Sequence, residues 1–137
     1  MFYKKPLPQP NPDTKPFWDG CSKHELRFQK CRNCSHVRWP PSIICPMCYT
    51  QDTEWIRSGG RGKIYTFVVY HQAFHKAFEN DLPYVTAIIE LEEGPRLLSN
   101  IVGCRPQDVR CDMPLEVTWE DINEEFSLPK FKPIREP

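Results

Sequence analysis

The second half of the chain alternates apolar and polar positions in short runs, each bounded by Gly, Pro, Asp or Asn. Four strong runs are GKIYTFVVYHQA, PYVTAIIELEEG, RLLSNIVGC and PLEVTWED, and a weaker one is EFSLPKF. Such runs, rich in β-branched and aromatic residues, are typical of strands. Five short strands favour a small barrel of the OB type, because closure removes the exposed edges of so small a sheet. We therefore expect a mainly β fold that ends in a five-stranded barrel.

The N-terminus has a different character. Prolines occupy alternate positions from Pro6 to Pro12, which blocks a helix and favours an extended arm. The arm is either a disordered tail or a segment that becomes ordered on a partner subunit. In the second case Phe2, Tyr3 and Leu7 provide apolar surface to bury.

A short helix and a strand are predicted after the arm. Asp13 or Thr14 is a suitable N-cap, and Pro16 falls near the first turn. The helix ends near Gly20 or resumes as far as His24. The segment ELRFQKC alternates in polarity and predicts a strand that leads into a cysteine motif.

Four cysteines form two Cys-x-x-Cys pairs in the stretch CRNCSHVRWPPSIICPMCYT. At this spacing a tight turn directs two thiolates to one metal, and two pairs complete a tetrahedral site. Four protein ligands leave no open position, so a structural metal is indicated, with zinc preferred and iron also suited to four sulfurs. The alternatives are a redox pair or buried cysteines without metal. The predicted ligands are Cys31, Cys34, Cys45 and Cys48.

Three glycines within Ser58–Gly62 mark an internal boundary. The expected organisation is an arm over residues 1–13, a helix and zinc ribbon over 14–60, and an OB-type barrel with a C-terminal tail over 61–137. The other cysteines, Cys21, Cys104 and Cys111, have no partner at metal spacing and are predicted to be small core residues.

Charge and composition narrow the function classes. Lys plus Arg and Asp plus Glu each number 18, giving a formal net charge of zero. A protein that neutralises many phosphates is therefore disfavoured, and with it nucleic acid as a partner. The sequence has neither a signal-peptide pattern nor an apolar run of membrane-spanning length, so a cytoplasmic protein without a membrane partner is expected.

The segment FHKAFENDLP, between the first two barrel strands, predicts a short helix or ordered loop. With the end of the preceding strand it would bring His71, Phe74, His75 and Phe78 to one mouth of the barrel. A structural role is the commoner outcome for each histidine. No histidine or unligated cysteine forms a recognisable nucleophile–base arrangement, so no catalytic residue is predicted. A second interruption, CRPQDVRCDMP, contains a turn.

Six segments resemble a known family in their order and spacing: FWDG, ELRFQKCRNC, PPSIICPMC, EWIRSGGRGKIYTF, FHKAFENDLPYVTAIIELEEGPRLLSNIVGC and LPKFKP. The resemblance extends from residue 14 to the C-terminus. This family comprises small proteins with an N-terminal helix, a rubredoxin-like zinc ribbon and a C-terminal OB-fold, long known as a domain of unknown function and associated with acyl-CoA. One departure is Asp112, where the family usually has glycine in a tight turn, although Asp tolerates turn geometry.

The resemblance implies an accessory subunit in a hetero-oligomer with a thiolase-like enzyme, either a thiolase or a retro-aldolase, acting on steroid or aromatic acyl-CoA. It also suggests subunits of thiolases that handle benzoylsuccinyl-CoA-like substrates. An acyl-CoA ligand needs cations for its phosphates and a narrow apolar path. The alternative function is a nucleic-acid-binding OB module with a zinc ribbon, which the fold permits. The candidate acyl-CoA or partner-binding residues are His71, Phe74, His75, Phe78, Tyr84, Arg96, Lys130 and Lys132, with Arg135 as a further cation.

Overall fold

Eight strands and one α-helix make up residues 5–134, the part of the chain that the computed structural model describes. No helix in this part is both long enough and apolar enough to cross a membrane. Two 3₁₀ helices, Lys76–Asp81 and Pro106–Asp108, fall in the two predicted interruptions. The main elements are α1 (Lys15–Ser22), β1 (Arg27–Cys31), β2 (Val37–Arg38), β3 (Thr53–Arg57), β4 (Arg61–Tyr70), β5 (Tyr84–Leu91), β6 (Arg96–Ile101), β7 (Pro114–Asp121) and β8 (Ser127–Pro133).

The last five strands close into a barrel in the order β4-β5-β6-β8-β7, which confirms the predicted mainly β fold. Every second residue of β5 is buried, as expected for a strand with one face on the core. The barrel core includes Ile64, Ile89, Leu115 and Phe131, all with no exposed surface. The weak run near the C-terminus forms β8, so all five predicted barrel strands are present.

The barrel closes through a narrow seam between β6 and β8. These two strands are parallel and share one backbone pair, Ile101 with Phe131. Side chains bridge the strands beside it, since Ser99 Oγ donates to the Pro129 carbonyl at 2.6 Å. A parallel pair between strands so far apart in sequence depends on the whole barrel, and no local pattern predicts it.

The predicted helix is confirmed as α1, with Thr14 at its N-cap position. Phe17 is buried and its ring centroid lies 4.2 Å from that of Trp39 in the ribbon. On the other side, Trp18 makes an edge contact with Phe126 of the barrel at 6.4 Å. The short helix therefore packs between the small sheet β2-β1-β3 and the barrel.

The segment Ser58–Gly62 is a tight joint between β3 and β4. The Glu93 carboxylate accepts hydrogen bonds from Ser58 Oγ at 2.6 Å and from the Gly59 amide at 3.0 Å. Gly60 has φ +74, and a Cβ built on it would lie 2.4 Å from Val117 Cγ1. Only glycine fits this position without strain. Gly60 therefore allows the chain to pack closely against Val117 of β7. The domain division between residues 60 and 61 stays a prediction.

The proline-rich arm contacts the chain's own barrel. Lys5 Nζ lies 2.5 Å from Asp81 Oδ2 and 5.3 Å from the ring centroid of Phe78. Leu7 is half-exposed, and the predicted apolar contributions of Phe2 and Tyr3 fall outside the described residues. Residue 5 of the arm therefore contacts the barrel of its own chain, and both alternatives for the arm, a disordered tail or docking on a partner, stay predictions.

One group of predicted core residues needs correction. Cys21 is fully buried and burial raises the pKa of its thiol to about 12, but Cys104 is half-buried and Cys111 is exposed. Cys111 lies in the surface connection between β6 and β7, next to Asp112, whose φ of +65 keeps the tight turn without glycine. Such connections run over the surface, and small size alone does not place a cysteine in the core.

Candidate functional sites: a four-sulfur cluster and a cleft on the barrel

Two backbone turns with matching hydrogen bonds hold the four predicted ligands. In the first, the Cys31 amide donates to the His36 carbonyl and the Ser35 amide to the Cys31 carbonyl, each at 2.9 Å. In the second, Cys45 and Tyr49 make the equivalent bonds, also at 2.9 Å. The residue after each pair has a left-handed backbone, with φ of +67 at Ser35 and +64 at Tyr49. The two turns are copies of one local structure.

The sulfur atoms of the four predicted ligands all lie within 4.8 Å of one another. Cys31 and Cys48 are separated by 3.5 Å between sulfurs, and Cys34 and Cys45 by 3.6 Å. A tetrahedral zinc with bonds of about 2.3 Å to sulfur places its ligand atoms about 3.8 Å apart. The donor set and its spacing therefore fit zinc, and the four sulfurs leave no position for water or substrate.

Electrostatics within the cluster also favour a bound cation. Hydrogen bonds with the Asn33 side chain and the Thr50 backbone lower the pKa of Cys48 to about 6. The pKa of Cys34 is raised to about 12 despite a backbone hydrogen bond with His36, because desolvation and its hydrogen bonds to the other sulfurs favour the thiol. Without a cation, Cys34 therefore keeps its proton while Cys48 favours the thiolate. Metals bind thiolates, so a bound cation would take the place of that proton.

A buried polar network supports the loop between the two cysteine pairs. Arg38 is 5% exposed. It donates from Nε to Ser42 Oγ at 3.1 Å and from Nη2 to Thr53 Oγ1 at 2.9 Å. The Ser42 amide in turn donates to Gln29 Oε1 at 2.8 Å. Buried polar groups are retained when they are bonded in this way, and the network ties the loop before the second pair to the small sheet.

The second candidate site is a cleft of about 720 Å³, which we call the barrel cleft. Outward-facing side chains of β5 and β6 form part of its lining. Tyr84 and Thr86 alternate with buried Val85 and Ala87 along β5, so they face away from the core. Asn100 of β6 pairs with Thr86 of β5, so both side chains lie on the same face of the sheet. Residues that line the cleft include Phe78, Tyr84, Thr86, Asn100, Thr118 and Lys130.

Lys130 and Asn100 form the polar centre of the barrel cleft. Lys130 Nζ donates to Asn100 Oδ1 at 2.6 Å and lies 3.5 Å from Glu120 Oε2. Burial lowers the pKa of Lys130. The carboxylate of Glu120 raises it in part, and the charge of Lys5 lowers it. Each of the two lysines at the cleft has a carboxylate beside it, so the cleft is close to neutral. It suits an uncharged polar chain better than a phosphate.

A series of aromatic rings extends from the cleft to the tip of the loop after β4. Phe78 and Tyr84 have centroids 6.0 Å apart, Tyr84 and Tyr70 5.1 Å, and Tyr70 and Phe74 6.1 Å. His75 adds an edge contact with Phe78 at 5.9 Å. Phe74, at the end of the series, is 79% exposed. Its ring makes an edge contact with Tyr70, and most of its surface is open to solvent.

The remaining predicted site residues are dispersed. His71 is exposed on the loop after β4. Arg96 stacks over Tyr65 at 3.9 Å, and Lys132 lies 3.8 Å from Glu116 on the barrel surface. Arg135 falls outside the described residues. Of the four residues predicted to meet, His75 contacts Phe78, and Phe74 is connected to them through Tyr70 and Tyr84. Phe78 lines the barrel cleft, and the binding role of all four stays a prediction.

Three residues of the cleft have no obvious signal in the sequence. Lys5 reaches it from the arm, Asn100 from β6, and Trp119 from β7. The alternation of β6 does identify Asn100 as a polar residue on the outer face. Its position opposite Lys130, 30 residues later, depends on the parallel seam, so the sequence pattern alone does not bring them together.

Comparisons with known proteins agree with this architecture. A family model described as "ChsH2, rubredoxin-like zinc ribbon domain" matches residues 18–54, and one described as "ChsH2, C-terminal OB-fold domain" matches residues 55–120. A solved structure named "Ltp2-ChsH2(DUF35) aldolase" is 35% identical, with a TM-score of 0.85 over 93% of this chain and 98% of that chain. This chain belongs to the DUF35 family. The zinc-ribbon and OB-fold assignment made from the sequence is confirmed.

Two curated relatives illustrate the range of this DUF35 family. A "DUF35 domain-containing scaffold protein" of Methanocaldococcus jannaschii is 44% identical over 77% of this chain and 79% of its own length. A "Probable enoyl-CoA hydratase alpha subunit" of Thermomonospora curvata is 36% identical over 94% of this chain. The chain spans 40% of the length of that hydratase subunit. DUF35 sequence therefore occurs both in short proteins and within longer ones.

The resemblance to subunits of benzoylsuccinyl-CoA thiolases is also confirmed as a relationship. The "Benzoylsuccinyl-CoA thiolase subunit BbsA" of Thauera aromatica is 29% identical to this DUF35 chain over 68% of it and 62% of the subunit.

Proposed function

We propose that this chain is a non-catalytic accessory subunit of a thiolase-like enzyme complex, either a thiolase or a retro-aldolase, that acts on acyl-CoA. The substrates we propose are intermediates of aromatic or steroid degradation. One observation carries the proposal: the chain has the fold of the DUF35 chain in an aldolase with a second component, over nearly the full length of both. Relatives named as hydratase and thiolase subunits support the same class.

Exposed apolar side chains supply the surface that such a subunit requires. Phe74 is 79% exposed at the tip of its loop. A second group lies beside the second cysteine pair, and we call it the ribbon patch. Contiguous exposed apolar residues mark protein–protein contact sites, so we propose both surfaces as contacts with the thiolase-like partner. The ribbon patch consists of Ile43, Ile44, Met47 and Tyr49.

We propose the barrel cleft as the part of the chain that contacts acyl-CoA. The pantetheine part of the ligand is an uncharged chain with amide groups, and the cleft offers hydrogen-bonding side chains such as Asn100 beside aromatic surface such as Tyr84. Its lysines have neighbouring carboxylates, and Arg96 and Lys132 lie elsewhere. We therefore expect the nucleotide phosphates of the ligand to be bound mainly by the partner.

We propose a structural zinc at Cys31, Cys34, Cys45 and Cys48. The metal would join the two cysteine turns and stabilise the ribbon, and it would take no part in the reaction because its coordination is complete. As a consequence of the accessory role, we expect the isolated chain to be inactive toward acyl-CoA.

Reconstitution tests this function. A thiolase-like protein from the same organism would be co-expressed with this chain, and the complex purified through a tag on this chain alone. We expect a stable complex that cleaves or condenses an aromatic or steroid acyl-CoA, while the isolated chain shows no turnover. Turnover by the isolated chain would contradict the accessory role. Full activity of the thiolase-like protein alone, without complex formation, would also contradict it.

A further inference from the structure

Arg38 is a buried cation whose hydrogen bonds all go to uncharged acceptors. Its side chain donates to the hydroxyl and the carbonyl of Ser42 and to the hydroxyl of Thr53. In the part of the chain that the structure describes, its Nη1 is buried and has no acceptor, and the ion pairs of the ribbon are made by other arginines. A buried charge is costly unless another charge compensates it, so Arg38 requires a negative group that these contacts do not supply.

The guanidinium of Arg38 lies on the face of the small sheet that carries Cys31. Arg38 of β2 pairs with Gln29 of β1, and Cys31 of β1 pairs with Thr53 of β3. Residues 29 and 31 point to the same face of β1, and residues paired across strands share a face. The hydrogen bond to Thr53 at 2.9 Å therefore brings the positive charge to the residue directly opposite the first metal ligand.

The same guanidinium also holds the loop that enters the second cysteine pair. Its bonds to Ser42 measure 3.1 and 2.9 Å, and Ser42 Oγ donates to the Ile44 carbonyl at 2.8 Å. Ile44 directly precedes Cys45. Arg38 is thus attached on one side to the strands that place Cys31 and on the other side to the loop that places Cys45.

The metal site proposed above carries an excess of negative charge. Four thiolates and one divalent cation sum to two negative charges. Cys31 and Cys45 have no exposed surface, so part of this charge lies away from solvent, where it requires compensation. A buried cation without a carboxylate and a partly buried anionic site are thus held by the same strands and the same loop.

We propose that Arg38 is the counter-charge of the metal site, that is, the positive charge that compensates the excess negative charge of the four thiolates. Arg38 does not bind the metal. It acts through the thiolates, and its charge stabilises the metal-bound ribbon in addition to the hydrogen bonds that fix Ser42. This inference rests on the proposed metal site and gives Arg38 a role that the hydrogen-bond network alone does not require.

Zinc affinity of the full chain, measured by competition with a chelator under reducing conditions, is the first test. Two neutral variants, Arg38→Met and Arg38→Gln, should bind zinc about tenfold to hundredfold more weakly than the wild type, as for other residues that support metal ligands. Arg38→Lys keeps the charge and should lose less affinity. The matched control is Arg57→Met, which removes an exposed arginine at the other end of β3 from Thr53 and should bind zinc as the wild type does.

The reduction potential of the chain loaded with iron separates charge from hydrogen bonding. Reduction of ferric to ferrous iron adds one negative charge to the site, and net charge is one of the determinants of such potentials. The potential should therefore fall in Arg38→Met and also in Arg38→Gln, although glutamine can still hydrogen-bond to Ser42. It should stay near the wild-type value in Arg38→Lys, in Arg57→Met, and in Ser42→Ala, which removes one acceptor and keeps the charge.

Two outcomes would overturn the counter-charge while the metal site stands. One is an unchanged or higher potential in both neutral variants, since entry of water without loss of charge would favour the more highly charged ferrous form. The other is equal zinc affinity in wild type and both neutral variants. If neither neutral variant keeps metal, retention of metal by Arg38→Lys supports the counter-charge, and loss of metal from Arg38→Lys overturns it. A wild-type chain that binds neither zinc nor iron would overturn the metal site itself, and the counter-charge with it.

Discussion

The imidazole of His24 lies flat on the indole of Trp119, with ring centroids 5.3 Å apart and planes inclined by 3°. Its Nε2 is 2.6 Å from Asp121 Oδ1. His24 follows α1 in a left-handed conformation, φ +59, while Trp119 and Asp121 belong to β7. The three residues therefore connect the helix to the barrel, and Trp119 also lines the barrel cleft.

This connection should give the fold a specific dependence on pH. The hydrogen bond with His24 lowers the pKa of Asp121 below its ordinary value of 3.8, and one with Ser127 adds to the effect. A carboxyl group with a lowered folded-state pKa stabilises the fold above its ordinary pKa, and the contribution is lost as the pH falls through the folded-state value. We expect Asp121→Asn to lower the Tm at neutral pH and to have no effect below the folded-state pKa.

The measurement is the Tm difference between wild type and Asp121→Asn from neutral pH to about pH 2.5. In a His24→Ala background the difference should shrink, because the two groups act together. The matched control is Asp108→Asn, which removes the separate ion pair with Arg105 and should have the same effect in both backgrounds. An Asp121→Asn effect that is independent of His24 would contradict the connection.

The purified chain should contain one zinc bound by the four cysteines. Cys45→Ser is expected to lose the metal and the structure of the ribbon, because binding of a structural metal is coupled to folding. Cys111→Ser changes an exposed cysteine outside the cluster and is the control. Metal analysis and thermal unfolding give the result. Full metal content and an unchanged Tm in Cys45→Ser would refute the assignment.

Phe74→Ala should weaken the complex with the thiolase-like partner without affecting the isolated chain. The ring is 79% exposed, so its removal costs little core packing. If the partner covers the ring fully, the loss is about 1.5–3 kcal/mol, which corresponds to a Kd about tenfold to hundredfold higher.

The comparison for Phe74→Ala is Gln72→Ala, an exposed residue of the same loop. Subunit affinity and the Tm of each isolated variant would be measured. Phe78→Ala is expected to lower the Tm as well, since this ring contacts Tyr84 and Lys5. Equal affinity for wild type and Phe74→Ala would remove the loop tip from the interface.

Gly60→Ala should destabilise the chain more than Gly94→Ala. Both glycines have positive φ, but a Cβ on Gly60 would lie 2.4 Å from Val117 Cγ1, whereas a Cβ on Gly94 meets nothing within 4 Å. Backbone strain alone costs about 1–3 kcal/mol, and overpacking adds about 1–3 kcal/mol. Denaturant unfolding of both variants measures the difference. Equal losses of unfolding free energy in the two variants would show that Val117 moves aside without cost.

Local signals in the sequence were sufficient for the elements and for the metal ligands. The alternation of β5, as in Tyr84 to Leu91, encodes which face is buried, and Cys-x-x-Cys spacing requires no distant information because each turn forms within a few residues. Thr14 as N-cap and Pro16 in the first turn likewise predict the helix. These features depend on short-range backbone geometry.

Features that depend on contacts between distant segments were not predictable from the sequence. The barrel cleft forms because β8 returns beside β6, which brings Lys130 to Asn100. The pairs Lys5 with Asp81 and His24 with Asp121 join residues 76 and 97 positions apart. The sequence shows that Arg96 and Lys132 are cations, and they were therefore candidates for ligand binding. It does not show that Arg96 stacks on the Tyr65 ring or that Lys132 lies beside the Glu116 carboxylate.

The joint at Ser58–Gly62 has a consequence for assembly. Glu93 fixes Ser58 and Gly59, Gly60 packs against Val117, and no loose linker separates ribbon from barrel. A partner that binds the ribbon therefore also fixes the orientation of the barrel. Because the joint fixes the ribbon to the barrel, the two need not be ordered relative to each other when a complex forms, and the entropic cost of that step is avoided.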